Sequence, residues 1–561
     1  MPPVSDPTLV LEAPPRRRQA IPRGVALAAG LLLSSALLTA PLLPLFDPDE
    51  GYYPATAAES VDAGRAWDPQ FNGEPRWDKP ILTYALIEAS FAAFGRSATA
   101  ARVPSAVQGA LLVLVVGLIV SRLCGARAGS LCAFVLVTTL GVQIFSRVAH
   151  PEIAIVLAIT TVELLTVVWL TTPVEPRRWL PVVIGAAAGY GVLAKGPVAL
   201  VLPACAALAI AAFVRPVRGW RLVWRDLAIA TVAVLVIAGP WFLAMTMRHG
   251  LSFVHEAIWR HNVGRYAGTA FEHRSAPWFF VLPTLIALFP WSAFVPGAVA
   301  RLSRADRSPT GVLRLYMTGA ALTAFVFYSV SASKLPHYAL AIVPPLAIVI
   351  GLYLDEITGR ERGIRWSFRV TTVLLACMAL ALAATPWLLD RLFTARELLG
   401  GAPGRGVEPA RLLAIAVWPS AILLALGAAA AWRLRGPARL TSMLVVGAVL
   451  PFLFIVSACT LFRAAYPWER FGRQIRETPG PVWMVGPRAP SLTFYAARPV
   501  RRLTEAEFAE HVPQMIEGWI IADRNWLLSP GSQPLGNSRI EVVDDSGHMA
   551  LVRVCAGECR R

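Results

Sequence analysis

Apolar stretches recur along the first 460 residues of this chain, at 24–45, 103–122, 128–147, 152–172, 180–194, 197–214, 226–247, 277–300, 311–331, 337–354, 368–389, 412–432 and 440–460. Most are close to the ~20 residues a helix needs to cross hydrocarbon. A backbone in hydrocarbon must satisfy its own N–H and C=O groups, which favours helices. The chain has 561 residues, 56% of them hydrophobic, and a mean hydropathy of +0.56. It therefore reads as an α-helical polytopic membrane protein of about thirteen spans, not a string of soluble domains. The apolar run from Leu180 to Val214 is divided at Lys195, the charge near its middle.

Arginine sets the expected orientation. Clusters at 16–23, 122–127, 177–178, 215–225, 301–314, 360–369 and 433–439 fall on every second connection. The positive-inside rule places these on the cytoplasmic side, together with the Pro- and Arg-rich residues 1–23. The net charge of +17 is then largely an orientation signal, and no nucleic-acid partner is needed to explain it. An apolar stretch after an arginine cluster also resembles a signal peptide. The further spans and the acidic motif at its exit favour a retained first helix.

The alternate, external connections differ in character. The loop 46–102 carries Asp47, Asp49, Glu50, Glu59, Asp62, Asp68, Glu74, Asp78 and Glu88. It is too long for a turn, and loops of this length are functional or disordered. Residues 54–63 suit a short helix, and Ile81 to Phe94 suits a helix lying in the interface. The loop 248–276 holds His249, His255, His261 and His273, half of the chain's eight histidines. Residues 463–561 read as a small external α/β domain, with strands at Val482–Val485, Trp519–Ala522, Arg539–Val543 and Met549–Val554. Thr504 and Glu507 form a capping box opening a helix through about Met515. Five of the seven cysteines lie in or beside spans and read as inert, whereas Cys555 and Cys559 flank a glycine where a disulfide can form in an oxidising compartment.

Of 52 basic side chains only three are lysine: Lys79 in Asp78-Lys79-Pro80, Lys195 in Lys195-Gly196-Pro197 and Lys334 in Lys334-Leu335-Pro336. All three fall on the external side, each one or two residues before a proline. A compact ammonium suits a phosphate oxygen, although a helix-end lysine can equally snorkel to the interface. At the exit of the first span, Asp47-Pro48-Asp49-Glu50-Gly51-Tyr52-Tyr53 gathers three carboxylates, enough for a general base or a divalent-metal site. Arg147, His150 and Glu152 add charge at another external span end. Ionisable groups at membrane depth default to function. Carboxylates and lysines on one face are what a reaction with a phosphate leaving group requires.

Asp49-Glu50, Asp78-Lys79-Pro80, Arg147 to Pro151-Glu152, Leu193-Ala194-Lys195-Gly196-Pro197, His261 to Arg265-Tyr266, Phe289-Pro290-Trp291 and Lys334-Leu335-Pro336-His337-Tyr338 occur in that order. Over roughly residues 25–355 this set resembles the aminoarabinose transferase branch of the GT-C glycosyltransferases, related to the protein O-mannosyltransferases. The resemblance implies an enzyme of the bacterial plasma (inner) membrane with a periplasmic or otherwise external active site. It would transfer a sugar from a polyprenyl-phosphate donor to a lipid, glycan or protein acceptor with inversion, using no nucleotide cofactor. It implies Asp49, Glu50 and Glu152 as catalytic, with Asp49 the base or the acceptor-orienting group. Lys79, Arg265, Lys334, Tyr338 and Lys195 are the implied donor-phosphate ligands, Lys195 equally fitting a structural role at a helix end. Arg147 and His261 are the implied substrate contacts, and Tyr52 and Tyr53 are candidate substrate contacts whose rings suit stacking on a sugar face or an isoprenoid. Asp78 stands where those transferases have a glutamate that can help bind a metal, so Asp78 and Asp49 are the candidate ligands of a divalent ion. Many relatives have an Arg-Tyr pair where this chain has Tyr52-Tyr53, so one positive charge is missing. The competing class is a transporter or flippase. Transporters show internal repeats and broken helices with charges near the midplane, whereas here no repeat is evident and the charges gather at one surface.

Overall fold

The computed structural model of the chain describes residues 20–171, 179–211, 220–268, 275–304, 308–357, 365–392, 409–511, 517–523, 527, 539–546 and 549–555. Among these, nine helices are long and apolar enough to cross a membrane, and a tenth span is formed if the bent pair Val281–Ala287 and Ser292–Leu302 counts as one. The remaining three expected segments are helical but short: Ala126–Val137, Leu180–Lys195 and Val198–Ala211.

The shortening has local causes. The helix Leu180–Lys195 stops because Gly196 takes φ +88°, a left-handed conformation that L side chains avoid, and Pro197 cannot continue the ladder. A Cβ at Gly196 would also sit 2.9 Å from the Asn262 side-chain oxygen. The bend of 111° in the split span falls at Phe289-Pro290.

The helix expected at 54–63 begins earlier and runs Asp49–Asp62. Asp49 and Glu50 occupy its first turn, where the exposed N–H groups favour negative charge. Glu50 is 3% exposed and is held by four donors. Arg102 Nε and Nη2 donate to its two carboxylate oxygens at 2.7 and 2.8 Å, and the backbone N–H groups of Phe46 and Ala149 donate at 2.9 Å each. Arg102, 1% exposed, also donates to the carbonyls of Ala40, Leu43 and Pro44. One ion pair therefore joins the exit of the first span, the first-loop helix, the span Ala98–Cys124 and the turn before Glu152. The expected interfacial helix is Leu82–Phe94, ended by Gly95 at φ +78°. It packs on the next span, where Ser90 Oγ donates to the Ala100 carbonyl at 2.6 Å.

After the last span (Gly436–Arg463), the helix Trp468–Glu477 leads into a five-stranded sheet. Following the two-residue strands β1 (Gln70–Phe71) and β2 (Glu74–Pro75), its strands are β3 (Val482–Val485), β4 (Val500–Leu503), β5 (Gly518–Asp523), β6 (Arg539–Asp545) and β7 (Met549–Cys555). Their order is β4-β3-β5-β7-β6. β3 pairs in parallel with β4 and β5, and β7 pairs antiparallel with β5 and β6. The capping box forms: Thr504 N–H donates to Glu507 at 2.7 Å and Glu507 N–H donates to Thr504 Oγ1 at 3.2 Å, opening the helix Glu505–His511. Met515 lies outside the described residues. Cys555 is disulfide-bonded; Cys559 lies outside the described residues.

The sheet's two faces have separate cores. Phe508, Ile520, Val552 and Val554 lie on one face. On the other, Phe471, Leu492, Trp519 and Leu551 pack against Ala55 and Ala58 of the first-loop helix. Polar contacts fix this docking. Ser491 N–H donates to Asp47 Oδ1 at 2.9 Å and its hydroxyl donates to Asp47 Oδ2. Leu45 N–H donates to the Tyr495 hydroxyl at 3.0 Å, and Asn72 exchanges two hydrogen bonds with the backbone of Val500.

Removing one member of a buried ion pair strands the other, at a cost of about 3–5 kcal/mol. Arg102→Met is therefore expected to lower the thermal midpoint of the detergent-purified protein sharply, with Arg102→Met/Glu50→Leu recovering part of the loss. Fluorescence-detected size exclusion after heating measures both.

Candidate active site

Two adjacent cavities share part of their lining. The larger, about 1210 Å³, is rich in charged side chains and is lined by the start of the first-loop helix, the segment 74–79, the turn at His150, the end of Lys195, the segment 251–261, Leu335 and His337. The smaller, about 350 Å³, is apolar, with Pro197, Val198, Val201, Val263, Phe327 and Tyr328 among its walls. Asp78, Lys79, Lys195 and His261 line both. These four residues form the junction between a polar chamber and a greasy one.

Asp49 is exposed and lines the polar chamber. Its neighbour Glu50 points away into the ion pair described above and does not line it. The sequence pair Asp49-Glu50 thus divides between the chamber and the scaffold, and the expectation of a catalytic Glu50 is not met by the geometry. Tyr52 and Tyr53 both line the chamber. The Arg76 guanidinium carbon lies 3.8 Å from the Tyr52 ring centroid, and Arg76 Nη2 donates to Asp78 Oδ2 at 2.9 Å. The positive charge missing from the Tyr-Tyr pair is thereby supplied from 24 positions further along. Sequence order alone gives no sign of this.

Asp78 is surrounded by donors. Besides Arg76, it takes a hydrogen bond from the Tyr84 hydroxyl at 3.1 Å, and the Lys79 ammonium lies 3.7 Å away. Burial alone would raise its carboxyl, but Lys79 and then Arg76 outweigh this and hold it down at about 2. A carboxylate already shared by two cations is a poor ligand for a third. Among the described residues no three His, Cys, Asp or Glu side chains gather as metal ligands. The donor set does not fit the expected divalent ion on Asp78 and Asp49.

Glu152, 2% exposed, forms a close ion pair with Lys195, and His337 Nε2 lies 3.3 Å from the same carboxylate oxygen. The Lys195 ammonium sits 4.5 Å from the centroid of Tyr338, which stacks on Tyr328 at 5.0 Å. Three sequence-predicted residues, Glu152, Lys195 and Tyr338, are therefore in contact. His150, wedged between Tyr53 and His337, has its pKa pushed well below the usual histidine value by burial and then by His337. Both causes favour its neutral form.

Other predicted residues go elsewhere. Arg147 is buried and donates to Ser35, Thr39 and Gln143, so it ties the first span to the 140–147 segment. Lys334 is buried, donates to the Ser331 carbonyl at 2.7 Å and lines neither cavity. The side chain of Arg265 lies outside the described residues, as do His273 and Arg274.

Residues not foreseen also reach the chamber. His255–Gly264 is a π-helix, whose i to i+5 spacing brings Glu256 and His261 within 3.1 Å and lets Asn262 donate to the Ala257 carbonyl at 2.7 Å. The four-histidine cluster hinted at function here, but not at this register. Arg488, in the loop after β3, reaches the chamber from the sheet domain.

Residues 78–243 match the family described as dolichyl-phosphate-mannose-protein mannosyltransferase. The chain is 31% identical over 322 residues to an undecaprenyl phosphate-alpha-4-amino-4-deoxy-L-arabinose arabinosyl transferase of Pseudomonas aeruginosa, 55% of each chain. It is 26% identical over 443 residues to the protein of the same description in Edwardsiella ictaluri, 77% of this chain and 78% of that one. The chain thus spans about half the length of the Pseudomonas relative it matches. The structure of ArnT from Cupriavidus metallidurans bound to undecaprenyl phosphate superposes with a TM-score of 0.77 at 21% identity, covering 94% of this chain and 97% of that one. The archaeal oligosaccharyltransferase AglB from Archaeoglobus fulgidus, in complex with an inhibitory peptide and a dolichol-phosphate, superposes at 0.50 and 12% identity, covering 95% and 74%. These likenesses establish the fold.

Asp47 ties the first loop to the sheet domain through Ser491. Burial raises its carboxyl from 3.8 to about 7, against the opposing hydrogen bonds from Ser491. A raised carboxyl stabilises docking fully below about 3.8 and loses that contribution as pH rises through about 7. Amide-exchange protection of residues 490–496, corrected for intrinsic rates, is expected to fall between pH 5 and pH 8. Asp47→Asn should make it flat.

Proposed function

We propose that this multi-pass membrane protein, which has the GT-C fold and is similar to the aminoarabinose transferases, is a glycosyltransferase. It takes a sugar from a polyprenyl-phosphate donor and passes it to a lipid or glycan acceptor with inversion of the anomeric centre. The observation that carries this reading is the junction of the two cavities: a polar chamber and an apolar groove sharing Lys79, Lys195, Asp78 and His261. A polyprenyl-phosphate sugar has the same division, an apolar chain and a polar sugar joined at a phosphate. The arginine bias of the opposite connections supports placing the chamber on the external face.

In this reading the isoprenoid lies against Val198, Val201 and Phe327, with the phosphate beside Lys79 and the sugar in the chamber. The bond from the anomeric carbon to the phosphate oxygen breaks, its electron pair leaves with the phosphate, and Lys79 neutralises the charge that develops. The acceptor oxygen bonds to the anomeric carbon from the opposite face, which inverts it. A hydroxyl acceptor gives its proton to Asp49; an acceptor phosphate needs only to be oriented there. Lys195 is held by Glu152 and by the Tyr338 ring, which fixes its ammonium at the junction without a mobile search. Arg488 and the Arg76–Tyr52 pair lie on the chamber side and suit an anionic or polyhydroxylated acceptor.

Asp49→Asn is expected to lower transfer from radiolabelled polyprenyl-phosphate sugar by about 10³-fold while leaving donor affinity near wild type, as loss of a general base does. Lys79→Ala is expected to lose donor affinity and turnover together. Wild-type turnover in the first variant, or wild-type donor affinity in the second, would contradict the assignment of roles.

A further inference from the structure

We infer that the chain carries a second anion site, for the headgroup of an anionic phospholipid, at the end of the bundle opposite the catalytic chamber. A cavity of about 280 Å³ lies between the ends of the last three spans, with Arg369, Arg435, Arg439, Phe368 and Trp432 among its walls. Chain direction fixes its side. The span Pro336–Ile357 starts beside the chamber at His337 and ends across the membrane. The next span, Trp366–Leu388, therefore starts on that far side, where Leu413–Arg433 ends and Gly436–Arg463 begins.

The charge there is distinctive. On the same end of the bundle, Asp355 pairs with Arg127, and Glu356 pairs with Arg301 and Arg314. Arg369, Arg435 and Arg439 pair with no carboxylate among the described residues. Three guanidinium groups lining one small cavity concentrate positive charge that an anion bound there would neutralise. Arg439 is also fixed in place: its Nε donates to the Leu434 carbonyl at 2.7 Å, and its guanidinium carbon lies 5.0 Å from the Phe368 ring centroid. Arginine is the residue suited to planar, bidentate recognition of phosphate.

A free phosphate and a lipid phosphate share this chemistry, and the surroundings favour the lipid. Trp432 is 66% exposed and Trp366 60% exposed. Exposed tryptophans at a span end mark the headgroup level of a bilayer. Basic pockets between transmembrane helices on the cytoplasmic side bind anionic lipid headgroups in this way. An acyl chain leaving the cavity would run along the apolar surfaces of the three spans.

The test uses the full-length protein, delipidated by detergent exchange and titrated with phosphatidylglycerol, phosphatidylcholine or inorganic phosphate, with bound lipid counted by native mass spectrometry. Wild type should bind phosphatidylglycerol in preference to phosphatidylcholine. The variant Arg369→Gln/Arg435→Gln/Arg439→Gln should bind phosphatidylglycerol about a hundredfold more weakly, with phosphatidylcholine adducts unchanged, as the loss of three near-surface charges implies. Replacing the same three residues by lysine should retain the preference in part. The wild-type preference is read without any variant, so its absence overturns the proposal even if the glutamine variant fails to fold. Equal phosphatidylglycerol binding by wild type and the glutamine variant also overturns it. Displacement of phosphatidylglycerol by inorganic phosphate at equal concentration would assign the cavity to free phosphate and sink the lipid reading.

Discussion

The buried pair of Arg102 and Glu50 is the constraint on which the rest of the molecule depends. Two charges taken out of water are tolerated only when nearly every remaining donor and acceptor is engaged. Here Arg102 reaches three carbonyls at the exit of the first span, and Glu50 accepts from two backbone N–H groups besides the guanidinium. One of those N–H groups belongs to Ala149, three residues before Glu152. The pair therefore sets the position of Asp49 on one side and of the Glu152 turn on the other. A scaffold interaction with no place in the chamber fixes the distance between two groups that face it.

The sheet domain depends on the same corner. It docks through Leu45, Asp47 and Asn72, all beyond the end of the first span at Leu42, and its apolar face covers the first-loop helix. Its contribution to the chamber is Arg488, carried on the loop after β3. The domain thus acts as a roof over the polar cavity, and Asp47 makes its seating sensitive to pH near neutrality. At the other end of the bundle, a cavity with three guanidinium groups points to contact with the lipid itself.

Much of this was legible in the sequence because it rests on periodicity and composition. Every expected apolar segment is helical, four of the five sheet strands lie where β-rich runs predict them, and the Thr504–Glu507 box caps a helix. Asp49, Lys79, Glu152, Lys195 and Tyr338 all reach the paired cavities. What was not legible required three dimensions. The break at Lys195 was legible from its charge, but the short length of Ala126–Val137 and the bend of the 277–300 run at Phe289-Pro290 were not, because hydropathy does not report where an apolar run stops being one straight helix. Strand β4, with Arg501 and Arg502 between two apolar residues, lacks a run long enough to stand out. Glu50 and Asp49 are adjacent and chemically alike, so only the position of Arg102 reveals that they face different ways. Arg76 over Tyr52, Arg488 from the roof and the π-helical register of Glu256 and His261 are likewise products of packing.

The central claim is that the lipid tail and the sugar of one donor occupy two cavities joined at Lys79. A polyprenyl phosphate carrying a photoreactive group on its first isoprene unit tests this most directly. After irradiation and proteolysis, the account predicts label in residues 197–201 and 327–331, reduced when Lys79 is replaced by alanine. Label confined to other segments, or unchanged by Lys79→Ala, would contradict it.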